Sequence, residues 1–346
     1  TLHNSTLNMG KPAGLSLGTI DAMDSDEANI SAQGTLVMTD KSINKLGIAG
    51  AASPVEFSEI SLDDLHVDEG EIVGKGAFGV VKKVVHQQTK TVLAVKELNI
   101  QDKELRNQTK KELAVMVECK ADGIVKFYNA FFDSHTNIYL CMEFMDGGSL
   151  DGVIKNAGAM PEKAVAHVAK SIMQGIFYLH KERHQLHRDL KPGNVLCNSA
   201  GDVKVADFGI SRALGQTDDV ISTYLGTAAY MSPERLEGEE YSFPSDIWAV
   251  GVIILECALG KFPFGNFESF FDLLEKITGG IPDAPDTLSA DGKDFIKACT
   301  AMDPKERKNA TDLLDHPFLK TADRDAFLKY LKKHLKAMSK SKKSKK

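Results

Sequence analysis

Two short segments in the second half of the chain carry acids and an amide that suit phosphoryl transfer. Residues 187–194 read HRDLKPGN and contain Asp189 and Asn194, and a later DFG opens with Asp207. Asn194 and Asp207 offer hard oxygen ligands of the kind that Mg²⁺ prefers. Asp189 can accept or orient the proton of an attacking hydroxyl. Together these segments predict the transfer of a phosphoryl group to a hydroxyl.

A glycine-rich segment and a lysine upstream supply groups that can bind phosphate. Lys96 ends the apolar run 93–96, where its ammonium would contact the α and β phosphates of a nucleotide. Taken singly, such a lysine can equally extend to solvent, and a glycine-rich hairpin can lack a ligand. The order of all four motifs along the chain favours nucleotide binding. The glycine-rich segment consists of Gly74, Lys75, Gly76, Ala77, Phe78 and Gly79.

Short β-branched runs separated by turn residues dominate the chain from about residue 65 to residue 145, which predicts antiparallel strands. One helical stretch, Lys103 to Glu118, interrupts them. The Gly147-Gly148 pair that follows is a natural hinge between this β-rich part and the rest of the chain. The predicted strands span residues 71–73, 80–85, 92–98, 125–132 and 138–144.

Helical periodicity dominates after the hinge. Two short strands, at 194–196 and 203–205, lie between helices and lead into Asp207. A last helix, Asp323 to Leu335, has an apolar face, and we expect it to end where the Ser-Lys repeats begin. The other predicted helices span residues 150–155, 161–180, 245–259, 267–277 and 290–299.

Composition and charge exclude several other classes of protein. The 346 residues carry a net charge of −6, which argues against nucleic acid as the main partner. Five cysteines are scattered without the Cys-x-x-Cys spacing of zinc or redox sites. The longest apolar run, Ile247 to Leu259, is too short to span a bilayer and contains Glu256. We therefore expect a cytoplasmic protein, with nuclear localisation also open.

The two ends of the chain differ from the middle. Residues 1–54 are rich in Gly, Ser, Ala and Asn with weak periodicity, which predicts a disordered leader. The end from Lys332 is dense in lysine. It can be a hydrated, charged tail that simply solvates the chain, a nuclear localisation signal or a segment that binds acidic lipids of a membrane. We favour the first of these.

From about Leu65 to Leu319, these motifs and their order resemble the eukaryotic protein kinases. Within that superfamily, three segments resemble the mitogen-activated protein kinase kinases: ISLDDL at 60–65, CMEFMDGGSLD at 141–151 and YMSPER at 230–235. The resemblance implies an α+β fold of two lobes, the small one β-rich and the large one mainly helical. It implies a leader at 1–60, a small lobe at 61–145, a large lobe at 146–320 and a helical, then lysine-rich, tail at 321–346.

The resemblance also implies roles for residues that match the kinase motifs. Asp189, Lys191 and Lys96 would be catalytic. Glu112, in the helix before the fourth strand, would pair with Lys96 in the active state. The residues that bind the Mg²⁺ of the ATP complex would be Asn194 and Asp207.

Further matching residues would surround the adenine of ATP or hold the fold. Met142 would guard the back of the adenine pocket, while Glu143 and Met145 would present backbone groups to the adenine edge. The apolar clamp around adenine would comprise Val81, Ala94 and Leu196.

Glu234 and Arg307 would form a buried ion pair of the large lobe. Side chains stacked through both lobes would be Met116, Phe127, His187 and Phe208, and the brace of the catalytic loop would be Asp246.

The function implied by the resemblance is an ATP-dependent and Mg²⁺-dependent kinase that phosphorylates and activates a mitogen-activated protein kinase and is itself activated by an upstream kinase. Lys191 followed by Pro192 is typical of the catalytic loop of Ser/Thr kinases. Phosphorylation of tyrosine as well as threonine is therefore implied only by the resemblance to the mitogen-activated protein kinase kinases. A related Ser/Thr kinase with another substrate and a nucleotide-binding pseudokinase scaffold are the alternatives, and the intact catalytic residues argue against the scaffold. Lys11, Leu15 and Leu17 weakly resemble the family's docking sequence for its substrate.

Hydroxyls after the DFG segment are candidate sites for the upstream kinase. Thr223 matches the second of the two regulatory sites in the family, and Ser222 beside it is an alternative. Animal members have their first site four residues earlier, where this chain has Asp219, whereas the longer spacing of plant members leads to Thr217. A phosphate on this segment would pair with Arg188, next to the catalytic aspartate.

We expect Thr217→Ala combined with Thr223→Ala to block activation by an upstream kinase. Asp or Glu at both positions should activate partly, because a carboxylate supplies part of the charge of a phosphate. Mass spectrometric mapping of the activated protein, together with a kinase assay, checks the assignment. Phosphate confined to Ser222 or Tyr224 would contradict it.

Overall fold

A computed structural model gives the fold of the chain. It describes residues 36–37, 42–44, 47–48, 61–76, 79–100, 109, 113, 116–133, 137–207, 226 and 228–344. Strands dominate the described residues up to about 143, and helices dominate those that follow. The predicted α+β architecture, with a β-rich small lobe and a mainly helical large lobe, is therefore confirmed.

The described residues among the first 60 form three short strands. They are β1 (Leu36–Val37), β2 (Ser42–Asn44) and β3 (Gly47–Ile48), and they form an antiparallel sheet in that order. β2 and β3 lie beside the small-lobe strand Phe127–Phe132. The prediction of a disordered leader over residues 1–60 is thus wrong for these three segments, which are too short to show a periodic pattern. The candidate docking residues Lys11, Leu15 and Leu17 lie outside the described residues.

The small lobe is built on one antiparallel sheet of five strands. The strands are β4 (Glu71–Gly76), β5 (Gly79–Val85), β6 (Val92–Asn99), β7 (Phe127–Phe132) and β8 (Asn137–Glu143). Their order is β4-β5-β6-β8-β7. Val81 lies opposite Lys96, and Ala94 lies opposite Met142. Because side chains alternate along a strand, these four residues share one face of the sheet.

The opposite face of this sheet is covered by the residues that precede it. Two 3₁₀ turns, Asp63–Leu65 and Val67–Glu69, bring Leu65 and Val67 against the apolar side chains of Val84, Leu93 and Phe131. Leu65, Leu93 and Phe131 are fully buried. The ISLDDL segment therefore stabilises the small lobe by covering its sheet.

The large lobe packs its helices around one buried helix. In chain order the helices are α1 (Leu150–Ala157), α2 (Glu162–Phe177), α3 (Pro233–Leu236), α4 (Phe243–Leu259), α5 (Phe270–Thr278), α6 (Ala290–Cys299), α7 (Ala310–Leu314), α8 (Pro317–Lys320) and α9 (Arg324–Ser344). α4 starts at a capping box between Ser242 and Ser245 and ends at Gly260, which adopts a left-handed conformation. Its Trp248 is fully buried. Among the described residues, no helix combines the length and hydropathy needed to cross a membrane.

A small sheet lies on the large lobe where the two lobes meet. It contains β9 (Gly148–Ser149), β10 (Val195–Cys197) and β11 (Val203–Val205), in the order β11-β10-β9. β10 begins directly after Asn194, and Asp207 follows β11 by two residues. The two predicted strands therefore form, and they hold the candidate metal-binding residues at their ends.

The last helix is longer than the sequence predicts. We expected it to end at Leu335, but α9 continues through the Ser-Lys repeats to Ser344. Its first half is anchored by buried Phe327, Tyr330 and Leu331. Lysine has a favourable helix propensity, so the helix can continue without an apolar face once it has begun.

A buried ion pair joins α3 to the segment before α7. The two terminal nitrogens of Arg307 donate to the two carboxylate oxygens of Glu234, each at 2.7 Å. Ser245 Oγ donates to the same carboxylate at 3.0 Å. Burial opposes ionisation of Glu234, but the hydrogen bonds from Arg307 outweigh it and hold the pKa of this carboxyl below its usual range. The pair predicted from the sequence is therefore present and ionised.

We expect Arg307→Leu to lower the free energy of unfolding by about 3–5 kcal/mol, because it leaves the Glu234 carboxylate buried without its cation. Lys155→Leu is the control, since it breaks an exposed pair with Asp151 and should cost below about 0.5 kcal/mol. Chemical denaturation at neutral pH measures both. Equal losses in the two variants would contradict a special role for the buried pair.

Candidate active site

The glycine-rich segment forms the turn between β4 and β5. Gly74 lies opposite Val81, and Gly76 lies opposite Gly79. Gly79 has a φ of 146°, and a Cβ there would lie 1.9 Å from the carbonyl oxygen of Glu97. Only glycine fits this position, where the hairpin crosses close to β6. Lys75 is exposed, and the tip residues Ala77 and Phe78 lie outside the described residues.

Four candidate nucleotide-binding residues share the face of the small-lobe sheet that carries Lys96. Ala94, Lys96 and Met142 are each less than a tenth exposed, and Val81 is half-buried. Leu196, half-buried on β10 of the large lobe, lies opposite Lys204 of β11. The structure therefore brings the predicted apolar residues to the region between the two lobes.

Glu143 and Met145, at the connection between the lobes, already use some of their backbone groups in hydrogen bonds within the protein. The backbone N–H of Glu143 donates to Lys126 O at 2.9 Å, so only its carbonyl can serve an adenine edge. Met145 is buried, and its carbonyl accepts from Gly148 N at 3.0 Å. The prediction that Glu143 offers backbone groups is thus narrowed to its carbonyl oxygen.

The Glu143 side chain forms an ion pair that the sequence did not predict. Lys204 Nζ donates to both of its carboxylate oxygens, at 2.6 and 2.9 Å. Lys126 N donates to the same carboxylate at 2.7 Å. This pair ties the end of β8 to β11, two residues before Asp207. A lysine and an acid 61 residues apart carry no sequence signal of pairing.

Lys96 reaches across to the large lobe. Its Nζ donates to Asp207 Oδ1 at 2.9 Å. Burial disfavours the charged form of Asp207, but the Lys96 ammonium outweighs this and keeps the pKa of the carboxyl below its usual range. Glu112, the predicted partner of Lys96, lies outside the described residues. Asp207 has a φ of 57°, a strained backbone conformation of the kind that clusters at functional sites.

Asp189, Lys191 and Asn194 form one hydrogen-bonded cluster. Lys191 Nζ donates to Asp189 Oδ1 at 3.0 Å, and Asn194 Nδ2 donates to Asp189 Oδ2 at 2.9 Å. Asn194 Nδ2 also donates to the Asp189 carbonyl at 2.7 Å. The predicted catalytic residues therefore lie together, with an ammonium beside the aspartate.

The fit of a divalent metal follows from the oxygens that this cluster leaves available. Both amide contacts of Asn194 use its nitrogen, so its Oδ1 makes no hydrogen bond among the described residues. Asp207 uses Oδ1 for Lys96, and its side chain is one third exposed. One amide oxygen and one carboxylate suit a hard cation that phosphate and water also coordinate. The side-chain oxygens of Asn194 and Asp207 therefore suit a divalent metal.

The loop that carries Asp189 is held by a buried carboxylate of α4. Asp246 Oδ2 accepts from His187 N at 2.8 Å, and Oδ1 accepts from Arg188 N at 3.0 Å. His180 Nε2 donates to Oδ2 at 2.8 Å. Burial opposes the charge of Asp246, but these donors, His180 first among them, keep its pKa below the usual range. The bracing role predicted for Asp246 is therefore supported, whereas His180 was missed.

His187 completes this support from inside the loop. It is fully buried, and its Nε2 donates to Ala206 O at 3.0 Å while Asp189 N donates to its Nδ1 at 3.2 Å. Burial lowers the pKa of His187, which agrees with a neutral imidazole making both bonds. Its role is positional, as expected. Of the other predicted stacking residues, Met116 is buried, Phe127 is half-buried and Phe208 lies outside the described residues.

The candidate phosphorylation sites Thr217, Ser222 and Thr223 also lie outside the described residues. Arg188, their predicted partner, is described: it has a φ of 69°, and its Nε is buried and has no hydrogen-bond acceptor within the part of the chain that the structure describes. A guanidinium in this condition has capacity for an anionic partner.

Known proteins are similar to this chain over most of its length. The protein kinase domain family matches residues 67–319. Mitogen-activated protein kinase kinase 2 of Arabidopsis thaliana is 36% identical over 311 residues, which cover 85% of this chain and 85% of that protein. The chain belongs to the mitogen-activated protein kinase kinase family. Another relative, the dual specificity mitogen-activated protein kinase kinase dSOR1 of Drosophila melanogaster, is 36% identical over 296 residues, or 78% of this chain and 74% of the relative.

Membership of the mitogen-activated protein kinase kinase family makes the chain a protein kinase, a phosphotransferase that uses ATP and a divalent metal. The geometry agrees, because the lysine, the two acids and the amide that such chemistry needs converge between the lobes.

We expect Asp246→Asn to reduce kcat by about 100-fold with little change in KM for ATP, because its amide would oppose one of the loop's N–H groups and shift Asp189. Steady-state kinetics on protein whose melting temperature is known separates this effect from unfolding. A folded variant with normal kcat would show that the brace is dispensable.

Proposed function

We propose that the chain is a dual-specificity kinase that uses Mg²⁺ and ATP to phosphorylate, and so activate, a mitogen-activated protein kinase. The observation that carries the proposal is the cluster of Asp189, Lys191 and Asn194 together with the Lys96–Asp207 pair. The two groups are joined through the backbone, because Ala206 N, next to Asp207, donates to Asn194 O at 2.8 Å. Two relatives are named as kinases of mitogen-activated protein kinases, one of them as dual specificity. Their names support this substrate class.

Each residue of the cluster has a distinct part in the proposed mechanism. Lys96, buried at the interlobe cleft, binds the α and β phosphates. Asp189 orients the substrate hydroxyl and accepts its proton, while the Lys191 ammonium at 3.0 Å offsets the negative charge beside it. Asn194 and Asp207 would hold Mg²⁺ through their side-chain oxygens. The charge that develops on the phosphoryl oxygens would be neutralised there by the metal.

Regulation and location of the kinase follow from segments outside the catalytic cluster. We propose that an upstream kinase phosphorylates the segment after Asp207 and that Arg188, whose buried Nε has no acceptor among the described residues, receives the phosphate. Cytoplasmic location and substrate docking through the leader remain predictions. Membrane contact through the tail also remains a prediction, in which the exposed Lys336 and Lys340 would face acidic lipids.

Incubation of the activated protein with Mg²⁺, ATP and an inactive mitogen-activated protein kinase should place phosphate on both a threonine and a tyrosine of that substrate. Asp189→Ala should reduce the rate by about 100-fold or more, because the hydroxyl loses its base. Asp294→Ala, which removes an exposed acid of α6, is the matched control and should retain full activity.

Two outcomes would overturn the proposal. Phosphorylation of other proteins on Ser and Thr only would indicate a related kinase with another substrate. Nucleotide binding without any phosphoryl transfer, in a protein shown to be phosphorylated after Asp207, would indicate a pseudokinase scaffold.

A further inference from the structure

Helix α9 lies beyond residues 67–319, which the protein kinase domain family matches, yet it packs along α1 and α2 of the large lobe. Its buried side chains fall at helical spacing, as expected for a packed face. Most of those that the structure describes are apolar, but His334 carries a polar ring and is only 3% exposed. A buried polar side chain must be hydrogen-bonded, so its partners are informative.

His334 contacts the connection between the two lobes. Its Nε2 lies 3.0 Å from Gly147 O, and its Nδ1 lies 3.0 Å from Asn156 Nδ2 of α1. A carbonyl can only accept and the Asn156 amide nitrogen can only donate, so both bonds are satisfied by a neutral imidazole with its proton on Nε2. The donor of the last helix is therefore directed at the backbone of the interlobe connection.

The same connection is fixed from its other side by β10. Gly147 N donates to Cys197 O at 3.0 Å, and Ser199 N donates to Asp146 Oδ1 at 2.6 Å. A Cβ on Gly147 would lie 2.9 Å from Cys197 O, so the backbone approach is close. The Gly147 peptide is thus held between β10, which carries Leu196, and α9.

A second contact places α9 against the turn between β10 and β11. Arg324 Nε donates to Ala200 O at 2.9 Å, and its Nη2 donates to Asp202 Oδ1 at 2.6 Å. Leu328, one turn further along, lies against Gly201. The helix therefore contacts the small interlobe sheet at that turn and at the entry to β9.

We propose that His334 is a positioning residue for the nucleotide site. Its hydrogen bond to the Gly147 carbonyl fixes the connection that runs from Met145 to Gly148. It thereby sets the distance between the backbone groups at the adenine edge and Leu196, the member of the apolar clamp on β10. This inference rests on the nucleotide site proposed above. It extends that site to a residue outside the matched kinase domain.

Two substitutions separate the bonds of His334. In His334→Gln the side-chain amide nitrogen takes the place of Nε2 and keeps the bond to Gly147 O. In His334→Asn the amide oxygen takes the place of Nδ1, so the contact with Asn156 remains while the bond to Gly147 is lost. We expect the Asn variant to raise KM for ATP and the Kd for Mg²⁺-ADP about fivefold, because nucleotide binding must then order a connection that one hydrogen bond no longer holds. The Gln variant should stay close to the wild type.

Tyr330→Phe is the structural control. It removes another hydrogen bond of α9, from the Tyr330 hydroxyl to Gly158 O, away from the connection. It should lower the melting temperature without changing KM for ATP. His334→Met, which fills the space without a donor, gives a second test should the Asn variant be too unstable for kinetics, and it should also raise KM.

The outcomes separate this inference from the proposed function. Wild-type protein that does not bind Mg²⁺-ADP would refute the nucleotide site itself. Wild-type binding that is unchanged in both the Asn and Met variants, with only melting temperatures lowered, would refute the positioning role of His334. A Gln variant as weak as the Asn variant would refute the bond to Gly147 as its cause.

Discussion

The buried carboxylate of Asp246 fixes the position of the candidate catalytic loop. It accepts hydrogen bonds from two consecutive backbone amides, those of His187 and Arg188, and from the His180 ring. An ionised acid inside a protein is costly unless its oxygens are satisfied. Here the two backbone donors come from the loop itself, so the loop must keep its conformation for the acid to remain stable. The left-handed backbone of Arg188 is part of that conformation.

Buried charges also fix the geometry at the junction of the lobes, as Asp246 does in the catalytic loop. The Glu143–Lys204 pair is less than a sixth exposed on both sides, and it joins the end of the small-lobe sheet to β11. Two residues after β11, Asp207 contacts Lys96 of the small lobe. Two ion pairs on one short stretch of chain, from Lys204 to Asp207, thus join the two lobes. Breaking either pair by removing one partner leaves a poorly solvated charge, so the interlobe distance near Asp207 is well determined.

How much of this could be read from the sequence depends on how far apart the interacting residues lie. Local patterns predicted the five strands of the small lobe, the turn at Gly79 and the clustering of Asp189 with Asn194, because strand alternation and short motifs act over a few residues. The bonds of His180 to Asp246 and of His334 to Gly147 join residues 66 and 187 positions apart. No periodicity connects such positions, so only the folded chain reveals them.

Two errors in the predicted elements, one at each end of the chain, have a common origin. Both concern segments with a weak apolar pattern, namely the strands β1 to β3 and the second half of α9. These segments are ordered by the neighbouring elements that they pack against or continue from. β2 and β3 lie beside the strand Phe127–Phe132, and α9 continues from an apolar half that is packed on α1 and α2. Once a helix is nucleated by packing, each added residue needs only a modest propensity to remain helical. Tertiary anchoring therefore extends structure into residues whose own composition predicts none, and it places a residue such as His334 at a site that local motifs do not include.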